Sequence, residues 1–211
     1  MRLRPRWGVV LLAFVLPMLV GPTLAGQRDT RAGWIPLFNG KDLSGWKPRD
    51  AAAPNGWKVV DGAYVNTPPS TDILTEQTFD DFDLYVEVKP AERTNSGLYL
   101  RDIYEVQILN SYGKPLTDNM CGALYRRIAP AVNACHRAGE WQTFEVTLVG
   151  RQLTVVHNGQ KLHDGVDVGP LGTGNAGKRP DAPGRLRLQG DHQEVAFRNI
   201  FIRPRHETAR R

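Results

Sequence analysis

The sequence predicts an all-β protein, a sandwich of two antiparallel sheets. Three observations carry this: apolar residues recur with period two, helical period is nearly absent, and turn residues end each alternating run. In chain order, Trp57-Lys58-Val59-Val60 and Ala63-Tyr64-Val65 are short extended runs joined by Asp61-Gly62, a pair that accepts the positive φ values of a tight hairpin. Phe82, Leu84, Val86 and Val88 alternate with Asp83, Tyr85 and Glu87, so one face of that strand is core and the other polar. In the next two runs Tyr99 and Arg101 oppose Leu98 and Leu100, while Glu105 and Gln107 oppose Tyr104, Val106 and Ile108. Phe144, Val146 and Leu148 then alternate with Glu145 and Thr147, and His157-Asn158-Gly159-Gln160 is a second tight hairpin. Leu186 and Leu188 alternate with Arg185, Arg187 and Gln189. Many short strands at this spacing imply an antiparallel sandwich. Residues 66–72 and 169–184 are loops, because proline cannot donate to an interior ladder, and loops of that length often serve as rims or lids.

The two ends of the chain differ from its body. Arg2, Arg4 and Arg6 precede the apolar run from Trp7 to Val20, and Thr23-Leu24-Ala25 offers small residues, so residues 1–25 read as a signal peptide cut after Ala25. Export to the periplasm or beyond is therefore expected. The apolar run is short for a span of about 20 residues, and no cysteine lies near the cut, so no membrane anchor is expected in the mature form. Residues 26–33 form a short lead, 34–203 a single domain with no internal repeat or linker, and 204–211 a basic tail. Cleavage lowers the formal charge from +5 to +2, and the residues from Arg203 to Arg211 hold four arginines against one glutamate. The folded body is thus close to neutral and lacks the basic stripe of a nucleic-acid binder.

Cys121 and Cys135 remain after cleavage, and in an exported protein a disulfide between them would close a loop of about 15 residues and stabilise by roughly 3 kcal/mol. Free thiols are the alternative. A zinc site is the weaker one, since two thiols with only His136 adjoining fall short of a tetrahedral set. His157 and His163 flank a hairpin and are expected at the surface. Trp34, Trp46, Trp57 and Trp141 are expected in core or strand-end packing, and Arg198 and Asn199 in satisfying buried backbone or a carboxylate.

The polar face around Tyr99, Arg101, Glu105 and Gln107 combines an aromatic, a cation, a carboxylate and an amide, groups that stack on and hydrogen-bond to a sugar ring. The ordinary alternative is a face that is polar for solubility alone.

The order of motifs narrows this choice. The run Trp34-Ile35-Pro36-Leu37-Phe38-Asn39-Gly40-Lys41-Asp42-Leu43-Ser44-Gly45-Trp46 is followed by Asn95-Ser96-Gly97-Leu98-Tyr99-Leu100-Arg101, Tyr104-Glu105-Val106-Gln107, Gly122-Ala123-Leu124-Tyr125 and Gly139-Glu140-Trp141. Leu188-Gln189-Gly190-Asp191-His192 and Phe197-Arg198-Asn199-Ile200 close the chain. In this order the motifs resemble the 3-keto-disaccharide hydrolase domain family, over about residues 34–203. Gln193 stands where that family often has glycine, and Gln142 where it commonly has asparagine. The resemblance implies a concanavalin-like, laminin-G-like jelly roll and cleavage of glycosides already oxidised to a ketone at sugar carbon 3.

That chemistry needs a base for the proton on carbon 2, not the two carboxylates about 5 Å apart of a retaining glycosidase. The sequence has no run of alternating acids of the laminarinase type; Glu105 stands with Gln107. On this reading Glu105 is the base and Arg101 the cation that stabilises the enolate oxygen. His192, beside Asp191, is the alternative base or the proton donor to the leaving oxygen. Gln107, Gln189 and Asp191 would hold sugar hydroxyls, and Tyr99 or Tyr125 would supply a stacking face. A cross-strand pairing of Glu105 with Arg101 is the structural alternative. No cofactor is required, and the sequence has no dinucleotide loop, so a separate sugar 3-oxidoreductase would have to supply the ketone. Glu105, Asp191 and His192 leave a divalent metal open. Competing functions are a carbohydrate-binding module without catalysis and a laminin-G-like adhesion domain.

Overall fold

The alternating runs become strands in the computed structural model, which describes residues 33–169 and 182–205. In chain order they are β1 (Ile35–Pro36), β2 (Trp46–Pro48), β3 (Trp57–Val60), β4 (Ala63–Asn66), β5 (Ile73–Thr75), β6 (Phe82–Pro90) and β7 (Asn95–Leu100). β8 (Tyr104–Leu109), β9 (Gln142–Val149), β10 (Gln152–His157), β11 (Gln160–Asp167), β12 (Arg187–Leu188) and β13 (Val195–Pro204) follow. An eight-stranded sheet runs β11-β10-β9-β6-β13-β4-β3 with β1 on β13, and a five-stranded sheet runs β2-β5-β12-β7-β8, every pairing antiparallel. The order is that of a jelly-roll sandwich. The expected signal peptide, most of the loop at 169–184 and the end of the basic tail lie outside the described residues.

The core is the space between the sheets. Phe82, Leu84, Val86 and Val88 of β6, with Phe144, Val146 and Leu148 of β9, face Leu98 and Leu100 of β7 and Tyr104, Val106 and Ile108 of β8. Each such side chain stabilises by about 1.5–3 kcal/mol when fully buried. In β13, Val195 and Phe197 point inward and so do Ile200 and Ile202, which strict alternation forbids. A bulge resolves the conflict. The register with β6 shifts between Arg198 and Phe201, with Asn199 at a φ of 50°, so the extra residue restores an inward row. Both predicted hairpins form, with Asp61 and Gly62 at φ 50° and 71°, and Asn158 and Gly159 at 48° and 75°.

Trp46 and Trp57 are buried in the core, as expected, and Trp141 lies at the strand end under the Arg198 guanidinium, 4.0 Å from its ring centroid. Arg198 and Asn199 satisfy a carboxylate, donating to Glu87 at 2.6 and 2.8 Å. Two expectations fail. His157 and His163 are not surface residues but buried, because His157 continues the inward row of Leu153 and Val155 and stacks on Phe144 at 4.1 Å. Burial pushes the His157 imidazole down to about 3. The expected disulfide is not formed: Cys121 and Cys135 are buried thiols. A hydrogen bond between them, with burial, holds the Cys121 thiol well above its ordinary value, and the same bond lowers that of Cys135.

Candidate active site

The face of the five-stranded sheet turned away from the core collects the polar groups. The register sets Tyr99 opposite Glu105 and Gly97 opposite Gln107, and on the other side of β7 it sets Arg187 of β12 opposite Tyr99. Tyr99, Glu105, Gln107, Arg187 and Gln189 are all buried, which an ordinary solvated outer face would not be. The segment Gly122–Tyr125 extends this sheet. Gly122 donates to Gln107 O at 2.8 Å, Gln107 to Ala123 O at 3.0 Å, and Tyr125 to Glu105 O at 3.0 Å.

Glu105 is held by its neighbours. The Tyr99 hydroxyl hydrogen-bonds to its carboxylate, and the Gln107 amide, oriented to satisfy its surroundings, donates to Glu105 Oε1 at 3.0 Å and to Ser96 O at 2.8 Å. Burial, and then the charge of Glu105, push the Tyr99 phenol far above its ordinary value, so it stays a neutral donor. Gly97 makes room for the carboxylate. A Cβ there would lie 2.6 Å from Glu105 Oε1 and 3.0 Å from Tyr99 Cε2.

Arg187 is the cation of this face. Its guanidinium stacks on the Tyr99 ring at 3.4 Å, Nη1 donates to Asp72 Oδ2 at 2.7 Å, and Nε lies 2.7 Å from Asp102 Oδ1 without aiming its N–H along that line. Nη2 is buried without a hydrogen-bond partner among the described residues. Asp72 is fixed in turn by Gly190 N at 3.0 Å and the half-exposed Arg49 at 3.4 Å. An open cavity of about 400 Å³ lies at this end, lined by Arg49, Asp50, Ser70, Thr71, Asp72 and Asp191. Two others, of about 440 and 600 Å³, lie beside Ile35 and Glu76 and contain none of the Glu105 cluster.

Of the predicted residues, the fold brings together Tyr99, Glu105, Gln107 and Gln189, with Tyr125 half-buried alongside. Arg101 is not among them. β7 ends at Leu100, and Arg101 and Asp102 take positive φ values of 53° and 57°, which breaks the alternation assumed for Tyr99 and Arg101. The Arg101 side chain instead donates to Asp80 O and Gly150 O, each at 2.9 Å, and to Asp81 Oδ1 at 2.8 Å. Glu105 accordingly pairs across the strands with Tyr99, not with Arg101. His192 and Asp191 pair with each other at 2.5 Å on an exposed turn, and Asp191 reaches the rim of the 400 Å³ cavity. Gln193 takes no positive φ in that turn, where Asn66 Nδ2 donates to Gly190 O at 2.8 Å and to Gln193 O at 3.4 Å. The sequence reading missed Arg187, Asp72 and Asp102. For Arg187 a signal was present: alternation with Leu186 and Leu188 places it on the face of Gln189.

Among solved structures, the chain is similar to a candidate glycosyl hydrolase from Parabacteroides distasonis at 30% identity and a TM-score of 0.71, over 82% of this chain and 84% of that one. A second candidate glycosyl hydrolase from the same organism matches at 25% identity and a TM-score of 0.63, over 82% and 99%. The β-glucanase of Bacillus licheniformis, at 13% identity and a TM-score of 0.50 over 82% and 97%, shares the jelly-roll fold. None of the curated proteins matches the sequence. Residues 33–203 match the model of the 3-keto-alpha-glucoside-1,2-lyase-like domain, and the chain belongs to that family.

Proposed function

We propose that this protein cleaves glycosides that carry a ketone at ring carbon 3, by elimination and rehydration. A carbohydrate-active role follows from the family and its glycosyl-hydrolase neighbours. The observation that supports the finer reading is the triad of one carboxylate, one phenol and one guanidinium on a buried sheet face, with Tyr99 between Glu105 and Arg187. Asp72 and Asp102 are engaged by Arg187, and Glu105, held by Tyr99 and Gln107, is the carboxylate to which this reading gives the substrate proton.

In the mechanism Glu105 takes the proton from carbon 2, and the C–H electron pair moves into an enolate whose negative charge rests on the oxygen at carbon 3. Arg187 supplies the fixed positive charge for that oxygen, through the Nη2 donor that has no acceptor among the described residues. Collapse of the enolate restores the ketone, moves the electron pair into a double bond between carbons 1 and 2 and breaks the bond from carbon 1 to its substituent, which leaves with that pair. Water adding across that double bond then gives the free 3-keto sugar. The neutral Tyr99 hydroxyl steadies the Glu105 carboxylate, the Gln107 amide orients it, and Gln189 would bind a sugar hydroxyl. His192, on the exposed turn, would be the donor to the leaving oxygen. The ketone would be supplied by a separate sugar 3-oxidoreductase, in the exported compartment that the signal peptide implies.

The test is release of a chromogenic aglycone from a 3-keto-glucoside, beside the unoxidised glucoside. The expected result is turnover of the keto substrate alone, reduced about 10³-fold or more in Glu105→Gln, with a smaller loss in His192→Ala. Tight sugar binding with no turnover under any metal condition would make this a binding module instead.

A further inference from the structure

Away from the sheet face, Cys121, Cys135 and His157 converge in the interior. Each is buried, and the two Sγ atoms and one ring nitrogen of the imidazole all lie within 4.8 Å of one another. The imidazole is set by its surroundings. Gln142 Oε1 accepts from His136 N at 3.1 Å and Asn158 Nδ2 at 3.4 Å, so it is an acceptor toward His157 Nε2, which lies 2.9 Å away. Nε2 therefore carries the hydrogen, and Nδ1 presents a lone pair. That Nδ1 is buried without any hydrogen-bond partner among the described residues, and it faces Gly122, the neighbour of Cys121, lying 4.0 Å from where a Cβ on that glycine would stand.

We propose that Cys121, Cys135 and His157 bind zinc as its three protein ligands, the fourth tetrahedral position being taken by a small exogenous ligand. Two thiolates and a neutral imidazole are the donors zinc prefers, and a divalent cation neutralises the pair of thiolates in a dry interior, where magnesium or calcium would want oxygen. With Zn–S of about 2.3 Å and Zn–N of about 2.0–2.1 Å, donors around a tetrahedral ion sit about 3.5–3.8 Å apart, so the cluster need close by only about 1 Å. The Nε2–H to Gln142 contact is the outer-shell hydrogen bond that orients ligating histidines. The three ligands come from different parts of the fold. Cys121 precedes the Gly122–Tyr125 segment that borders β8, Cys135 lies in the following loop, and His157 ends β10 of the opposite sheet. Zinc would therefore fasten the wall beside Glu105 to the eight-stranded sheet.

The experiment uses the full chain, reduced with a phosphine under anaerobic conditions and titrated with zinc against a chromogenic chelator. One equivalent is expected to bind, lost in Cys135→Ser and His157→Gln. Because those variants can misfold, the wild-type protein carries an independent readout. Cobalt should give a near-ultraviolet thiolate charge-transfer band with tetrahedral visible bands, and X-ray absorption of the zinc form should show two sulfurs at about 2.3 Å. At zinc 100 times above its dissociation constant the melting midpoint should rise by about 5–10 °C. A metal spectrum without sulfur, full uptake by folded Cys135→Ser, or reduced wild-type protein that takes up no zinc would overturn the site.

Discussion

Arg101 and Arg187 are both buried and both flanked by two aspartates, yet they differ in what remains after pairing. Arg101 directs Nε and Nη1 to the carbonyls of Asp80 and Gly150 and Nη2 to Asp81, so each nitrogen has an acceptor inside the fold. It ties the β7–β8 turn to the β9–β10 turn and to the residues before β6. Arg187 pairs with Asp72 and Asp102 but stacks its plane on Tyr99, and its Nη2 has no acceptor among the described residues. A buried donor left unmade costs about 1–3 kcal/mol, which a substrate oxygen would recover. Burial and charge therefore do not distinguish a structural arginine from a functional one. On the proposed mechanism, the donor left over among the described residues and the neighbouring Glu105 carboxylate do.

Exchanging each arginine should separate the two roles. Arg187→Lys keeps the charge but loses the planar fork and the stacking on Tyr99, and is expected to lower kcat on a 3-keto-glucoside about 10³-fold, equivalent to about 4 kcal/mol, the upper end for one electrostatic donor. Arg101→Ala should act on the other axis. It strands Asp81 and two backbone carbonyls, so unfolding in urea should show a loss of about 3 kcal/mol, with kcat of the folded fraction within a few-fold of wild type. If Arg101→Ala abolished turnover at unchanged stability, the assignment of the two arginines would be reversed.

Gly97→Ala gives a smaller effect on the Arg187 side of the comparison. The new methyl would lie 2.6 Å from Glu105 Oε1, the movable end of a side chain, so the carboxylate shifts while the backbone stays. Activity should fall about tenfold with the melting midpoint nearly unchanged, because misplacing a base by a fraction of an ångström damages the reaction more than the fold.

Much of this was legible in the chain. Period two marked β6, β9 and the two site strands, the Asp-Gly and Asn-Gly pairs marked both hairpins, and alternation put Glu105 and Gln107 opposite the core residues Tyr104, Val106 and Ile108. The same parity put Arg187 with Gln189. What no local pattern carries is that β12 lies beside β7, so that Arg187 meets Tyr99 across a pairing between segments far apart in sequence. Nor did the chain flag the end of β7, since Arg101 and Asp102 enter the left-handed region without a glycine to announce it. His157 read as a hairpin residue because its two neighbours, Asn158 and Gly159, dominate the local signal. Its place in the row of Leu153 and Val155 was equally present and decided the outcome.

The weakest member of the comparison is a carboxylate whose arginines reach solvent. Asp83 of β6 accepts from Arg203 at 2.7 Å and Arg205 at 3.0 Å, both roughly half-exposed, and from Thr147 at 2.7 Å. Burial raises its carboxyl, but these hydrogen bonds together outweigh that and hold it below its ordinary 3.8. A carboxyl lowered in the folded state adds stability that is fully present above the unfolded value and is lost as the pH falls through the folded one. Asp83→Asn should therefore cost no more than about 1 kcal/mol at pH 7, since exposed partners are screened. The gap from wild type should close as the pH drops below about 4, read from urea midpoints across the acid range. A gap that persisted in acid would mean that Asp83 acts through hydrogen-bond geometry and not through charge, which would place it nearer to the Arg101 hub than to a surface ion pair.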